Sequence, residues 1–220
     1  MTKILGLPSY TKNEETFNMI THIVGGGIGV IVLLVCVIIA AYNQNMWGVA
    51  SGLVYGFSVV LLFTMSSIYH GLNIGLPKRV FRILDHCTIY ILIAGTYTPI
   101  MMTHFREEYP TEAWLVMAVI WGLAVVGITL NAIDLKRFTV LSVVCYLGMG
   151  WAAIFKIHQL ISVLGSTFFI LILIGGILYT VGVLFYATGK KKKYMHSVFH
   201  LFVIAASITH SVAIMLFVMR

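Results

Sequence analysis

Charge is what this sequence has least of. Only 10% of its 220 residues are Asp, Glu, Lys or Arg, while 60% are hydrophobic and the mean hydropathy is +1.00. A soluble domain is about a quarter charged and nearer half apolar, so the composition excludes a water-soluble globular fold and implies an integral membrane protein. Cysteine is scarce as well. Cys36, Cys87 and Cys145 sit in apolar runs without the paired spacing of a thiolate metal site. They are expected to be small buried hydrophobes rather than disulfide partners. The soluble metalloprotease pattern H-E-x-x-H and the serine-hydrolase pattern G-x-S-x-G are both absent, which removes two standard hydrolase templates. No low-complexity tract and no stretch long enough for a soluble domain interrupts the apolar runs.

What is present is a series of those runs. After a polar segment, 1–16, they fall at about Phe17–Tyr42, Met46–Asn73, Leu84–Thr103, Ala113–Ala132, Phe138–Phe155, Gly165–Ala187 and Tyr194–Val218. Each is near the roughly 20 residues a helix needs to cross a bilayer. The first exceeds the apolar core of a signal peptide and has no persuasive cleavage site, so it counts as a span. The expected fold is therefore an all-α integral membrane protein: a short segment 1–16 followed by one seven-transmembrane-helix domain, 17–220.

The net charge of +7 could suggest nucleic acid, but the basic residues lie between spans and are better explained by topology. The side of the N-terminus would carry Lys3, Lys12, Lys78, Arg79, Arg82, Lys136, Arg137, Lys190, Lys191, Lys192 and Lys193. The opposite side would carry only Arg106, Lys156 and Arg220. This asymmetry predicts a cytoplasmic N-terminus and an outer C-terminus. The lysine run at 190–193 would serve first as a topology anchor and second as an anionic-lipid contact.

Topology places the unusual residues in depth. His196 and His200, four apart at the start of the last span, project from one helix face. His70 lies near the cytoplasmic end of the second span, with Ser66 one turn away on the same face, and Asp85 near the cytoplasmic start of the third. His22 enters at the same level, whereas His210 lies ten residues, roughly 15 Å, beyond His200. Intramembrane ionisable groups usually mark function. Three neutral imidazoles with an open position are the ligand set of a catalytic zinc site, and Asp85 could hold and deprotonate a water there. The alternative is that these groups pair with lipid headgroups, with the nearby lysines or with one another.

Ser66-Ser67-Ile68-Tyr69-His70, the block from Leu84-Asp85-His86-Cys87 to Tyr97-Thr98-Pro99, and His196-x-x-x-His200 resemble the hemolysin III-like family. That family is the bacterial branch of the progestin and adipoQ receptor (PAQR) family, which includes the adiponectin receptors. The resemblance spans the whole seven-helix length. It implies a cytoplasmic N-terminus and zinc held by His70, His196 and His200. It also implies that Asp85 approaches the metal through a water, with Ser66 as the motif serine beside it. Asp85 and Ser66 are thus the candidate catalytic residues and Zn2+ the expected cofactor. The soluble N-terminal extension of the adiponectin receptors is not seen here, so a hormone-receptor role is not carried over. Alkaline ceramidases, in the wider superfamily, suggest hydrolysis of a lipid amide or ester, whereas the name hemolysin suggests cytolysis.

Two functions follow as expectations. One is a zinc-dependent hydrolase acting on membrane lipids at the cytoplasmic face. The other is a non-enzymatic protein of membrane homeostasis, signalling or cytolysis with a structural zinc. His86, about 100° round the helix from Asp85, is assigned a packing or hydrogen-bonding role. His22 is a reserve ligand or partner of a ligand, and His210 a buried hydrogen-bonding residue beside the cavity. Pro99 should kink or end the third span, with Thr96 or Thr98 satisfying freed carbonyls. Gly25-x-x-x-Gly29 and Gly52-x-x-x-Gly56 should let helices of this chain approach closely.

Overall fold

The computed structural model describes residues 7–189 and 192–220; Lys3, Lys190 and Lys191 lie outside the described residues. The described residues form six long helices: α1 (Lys12–Tyr42), α2 (Met46–Gly71), α3 (Leu76–Ile100), α4 (Pro110–Trp151), α5 (Ile157–Thr188) and α6 (Met195–Phe217). The described residues contain no strand. Apolar side chains such as Ile31, Ile38, Val125, Val144 and Leu184 are more than 60% exposed. A surface this apolar is unstable in water and matches the hydrocarbon of a bilayer.

α1 begins five residues before its apolar run. Thr11 and Glu14 form a capping box, each side chain bonded to the other's backbone N–H, so the polar first turn is helical. At the far end Asn45 accepts from Gly48 N–H at 2.6 Å and starts α2 after a three-residue turn. The two glycine motifs lie in the α1–α2 contact, Gly25 and Gly29 against Phe63 and Val59 of α2, Gly52 and Gly56 against Cys36 and Leu33 of α1. A Cβ on Gly56 would stand 2.5 Å from Leu33 Cα, and one on Gly25 would meet the Phe63 ring at 2.7 Å. The close approach therefore occurs within this chain, as the sequence implies. Gly56→Ala should lower stability by roughly 1–3 kcal/mol, because a backbone atom must yield. Gly122, with open space around it, should accept alanine with little change; thermal melting in detergent compares the two.

α3 is the least apolar of the six helices, and its span is legible only from Leu84 because Lys78, Arg79 and Arg82 occupy its start. It tolerates them because it is packed between α2 and α4. Pro99 does not stop it sharply: the helix continues to Ile100 and then widens into a π-helical turn, Met101–Phe105. Thr96 and Thr98 hydroxyls donate to the carbonyls of Leu92 and Ala94. The proline instead frees the carbonyl of Gly95, which neither threonine bonds.

The 42 residues of α4 would be about 63 Å long if straight, twice the bilayer core. They are not straight. Asp134 has extended dihedrals (φ −155°, ψ 89°) and its carboxylate accepts from Arg137 N–H at 3.0 Å, an N-cap for a second helical leg. The legs touch on the inside: Ser142 donates to Asn131 Oδ1 at 2.6 Å, and Asn131 Nδ2 donates to the Tyr146 hydroxyl. α5 breaks likewise at Gly165, whose φ of 86° suits glycine. α6 packs against both α5 and α1, so the last helix returns to the first. The three cysteines are free thiols, Cys36 and Cys87 fully buried.

Candidate metal centre

The last turn of α2 supplies His70, and the first two turns of α6 supply His196 and His200. All three are buried, at 3%, 7% and 1% exposure. One ligand nitrogen from each lies within 4.8 Å of the other two. His196 and His200 bring their Nε2 atoms to 3.1 Å, and the His70 ring lies 4.9 Å from that of His200 between centroids. Within this cluster His70 Nε2 and His200 Nδ1 have no hydrogen-bond partner. Buried polar atoms without partners cost free energy, so an unpaired His70 Nε2 close to the facing Nε2 atoms of His196 and His200 fits a cation. Neutral imidazoles suit zinc, copper, iron and nickel alike, so the donor set identifies a transition-metal site rather than one metal.

The remaining candidate residues gather around this cluster. Asp85 and Ser66 line one cavity of about 170 Å³ together with His22, His196 and His200. Asp85 Oδ2 lies 3.5 Å from His86 Nδ1, but that nitrogen already donates to the Arg82 carbonyl at 2.9 Å. His86 is thus hydrogen-bonded, as expected, and Asp85 remains available on the cavity wall. His22 stacks on His200 with centroids 3.7 Å apart, and neither of its nitrogens has a partner. Asn18, one turn before His22, is fully buried with both amide atoms unpartnered. His210 also lines the cavity farther along, bonded to the Ile172 carbonyl at 3.0 Å. Gly175 makes room for its ring, since a Cβ there would overlap His210. Between the cluster and His210 the walls are mostly apolar, including Leu92, Ile93 and Val203, and Phe168 continues the apolar lining beyond His210.

The polar segment before α1 covers the cluster. Tyr10 stacks on His196 with ring centroids 4.9 Å apart and lies 6.0 Å from His70. Burial pushes its phenol well above the ordinary tyrosine range, reinforced by the neighbouring Tyr186, so the ring stays neutral. Glu14 Oε1 accepts from Tyr194 N–H at 2.7 Å, tying the first turn of α1 to the start of α6. Glu15, one residue on, accepts from His70 Nδ1 at 2.6 Å and from Lys78 Nζ at 3.0 Å. Sequence reasoning found the histidines and Asp85 but passed over Glu14, Glu15, Tyr10 and Lys78. Their one local signal is Thr11-x-x-Glu14, a capping box that extends α1 back to the level of the site.

Comparison with known proteins agrees with this architecture. The model of the family described as "Haemolysin-III related" matches residues 10–211. A protein named "Hemolysin-3" from Bacillus cereus is 37% identical over 205 residues, 93% of this chain and 91% of its own. "Hemolysin-3 homolog" from Bacillus subtilis (strain 168) is 36% identical over 198 residues, 90% of this chain and 91% of its own. The human "Monocyte to macrophage differentiation factor" is 25% identical over 185 residues, covering 81% and 74%. The chain belongs to the haemolysin-III-related family and is a multi-pass integral protein of the cell membrane.

Proposed function

We propose that this protein is a seven-span, zinc-dependent hydrolase of a lipid amide or ester, with its site at the cytoplasmic face. The observation that carries the proposal is the conjunction of three clustered, buried histidines, with His70 Nε2 and His200 Nδ1 unpartnered, and a mostly apolar cavity lined by His196, His200, Asp85 and Ser66. The seven-span count is supported by the break at Asp134, which divides α4 into two legs that bond to each other. The lysine and arginine asymmetry supports a cytoplasmic N-terminus.

His70, His196 and His200 would hold the metal. A tetrahedral zinc with bonds of about 2.05 Å separates its ligand nitrogens by about 3.3 Å, close to the 3.1 Å between His196 and His200. Zinc, when bound, supplies a Lewis acid able to lower the pKa of a water to about 7. Asp85 would take the attacking water's proton at a carboxylate oxygen as the water oxygen bonds to the acyl carbonyl carbon and the C=O π pair moves onto the carbonyl oxygen. When that pair re-forms the carbonyl and the C–N or C–O bond breaks, Asp85 would return the proton to the departing amine or alcohol. Ser66 offers a hydroxyl on the same wall, one turn from His70. The apolar stretch toward Phe168 excludes water and accepts an acyl chain.

One observation favours the non-enzymatic alternative: the ligands come from two helices, α2 and α6, so a metal would also tie those helices together. Metal analysis of purified protein, followed by incubation with ceramides and phospholipids, tests both readings. One zinc per chain with fatty-acid release supports the hydrolase. Zinc without any product supports the structural role, and an absence of zinc rejects both.

A further inference from the structure

Of the three clustered histidines, only His70 has a carboxylate partner among the described residues. That partner is Glu15, in the polar first turn of α1, 55 residues away in sequence. A carboxylate can only accept, so His70 Nδ1 carries the hydrogen and Nε2 carries the lone pair. It is this Nε2 that lies buried without a partner. The Glu15 bond therefore selects the one tautomer able to offer Nε2 as a ligand.

Lys78 completes the arrangement. Its side chain is 4% exposed, and Nζ has three acceptors: Glu15 Oε1 at 3.0 Å, the Tyr69 carbonyl at 2.9 Å and the Leu72 carbonyl at 3.0 Å. Tyr69 and Leu72 bracket His70 at the end of α2. One ammonium group thus fixes the backbone on both sides of the ligand and the carboxylate that orients its ring. It also occupies the second oxygen of Glu15, which keeps that carboxylate outside the ligand set. A buried ion pair serving only to staple helices would not need to end on a ligand's ring nitrogen. Stapling is no reason for burial either, since replacing such a pair with apolar groups is often neutral.

We propose that Glu15 and Lys78 are positioning residues that set the tautomer and orientation of His70 and thereby raise the affinity of the three-histidine site for a transition metal. The inference rests on the metal-binding reading of the cluster and is independent of whether the protein is a hydrolase. Partners of this kind commonly contribute 10–100-fold to metal affinity by orienting the ligand and increasing its basicity.

The test is zinc affinity of purified full-length protein, by competition with a chelator, alongside the melting temperature of the metal-free form. Glu15→Leu should weaken zinc binding by roughly 10–100-fold. Glu15→Gln should lose less, roughly three- to tenfold, because its amide oxygen still accepts from Nδ1 but without the carboxylate charge that raises the ring's basicity. Should the leucine variant not fold, the isosteric glutamine variant decides alone. Zinc affinity equal to wild type in the folded variants overturns the inference, even if the metal-free melting temperature has dropped, because Glu15 then only staples helices. Wild-type protein that binds no zinc instead overturns the metal site itself.

Discussion

His200→Ala is expected to abolish the stabilisation that zinc gives the wild-type protein, and the size of that loss can be bounded. A ligand that binds only the folded state adds about 2.7 kcal/mol at a free concentration one hundred times its Kd. Removing one of three protein ligands should weaken binding beyond the roughly 100-fold typical of outer partners. At a fixed zinc concentration that saturates the wild type, the variant should therefore gain almost nothing. The metal-free proteins must be compared as well, because the His200 ring also packs on His22 at 3.7 Å and on the edge of His70 at 4.9 Å. Truncation leaves a void, and a core truncation of that kind costs on the order of 2–5 kcal/mol by itself. The measurement is thus a difference: melting temperature with and without zinc, in wild type and variant. His22→Ala is the control, since it opens a neighbouring void without removing one of the three clustered ligands. A zinc-induced rise that persists in His200→Ala and vanishes in His22→Ala would reassign the site.

The two imidazoles of α6 are legible in the sequence because their geometry is local. Positions four apart on a helix share a face wherever the helix lies, and the structure brings His196 and His200 to within 3.1 Å. His70 and Asp85 were found by depth rather than by contact, since charge asymmetry and span boundaries put them at one level of the membrane. The glycine motifs of α1 and α2 also follow from local spacing, which creates a smooth strip that another helix can fill. Hydropathy is blind in two places. It misses the start of α3, where Lys78 is buried by its neighbours, and the first turn of α1, where polar residues are helical because Thr11 and Glu14 cap each other.

The bond from Glu15 to His70 depends on which side of that polar turn meets the end of α2. Helix tilt and rotation decide this, and neither is encoded in spacing. The same holds for the stack of His22 on His200. An imidazole on α1 four residues after Asn18 declares a face, but not which helix that face meets. Tyr10 gives no signal at all, because its contact with His196 exists only once α1 and α6 are clamped by Glu14 and Tyr194. The histidine cluster was therefore readable, while the groups that pack on it and cover it were not.

Asp85→Asn is expected to keep zinc and lose hydrolysis, which separates the two roles a carboxylate can play beside a metal. The substitution preserves shape and removes the charge and the basic oxygen. It should leave the fold intact, because the Asp85 contact to His86 Nδ1 at 3.5 Å is long and that nitrogen is already committed to the Arg82 carbonyl. Asp85 is also not one of the three clustered ligands, so the zinc content of the variant should stay at one per chain. An amide cannot take the proton from the attacking water, and general-base catalysis of this type contributes roughly 10²–10⁴-fold. Fatty-acid release from the ceramide or phospholipid that wild type cleaves should fall by that factor. Zinc lost together with activity would make Asp85 a ligand rather than a base. Zinc retained with an unchanged rate would remove Asp85 from the chemistry and leave Ser66, His22, His86 and Tyr186 among the cavity-lining polar groups on which a base must be sought.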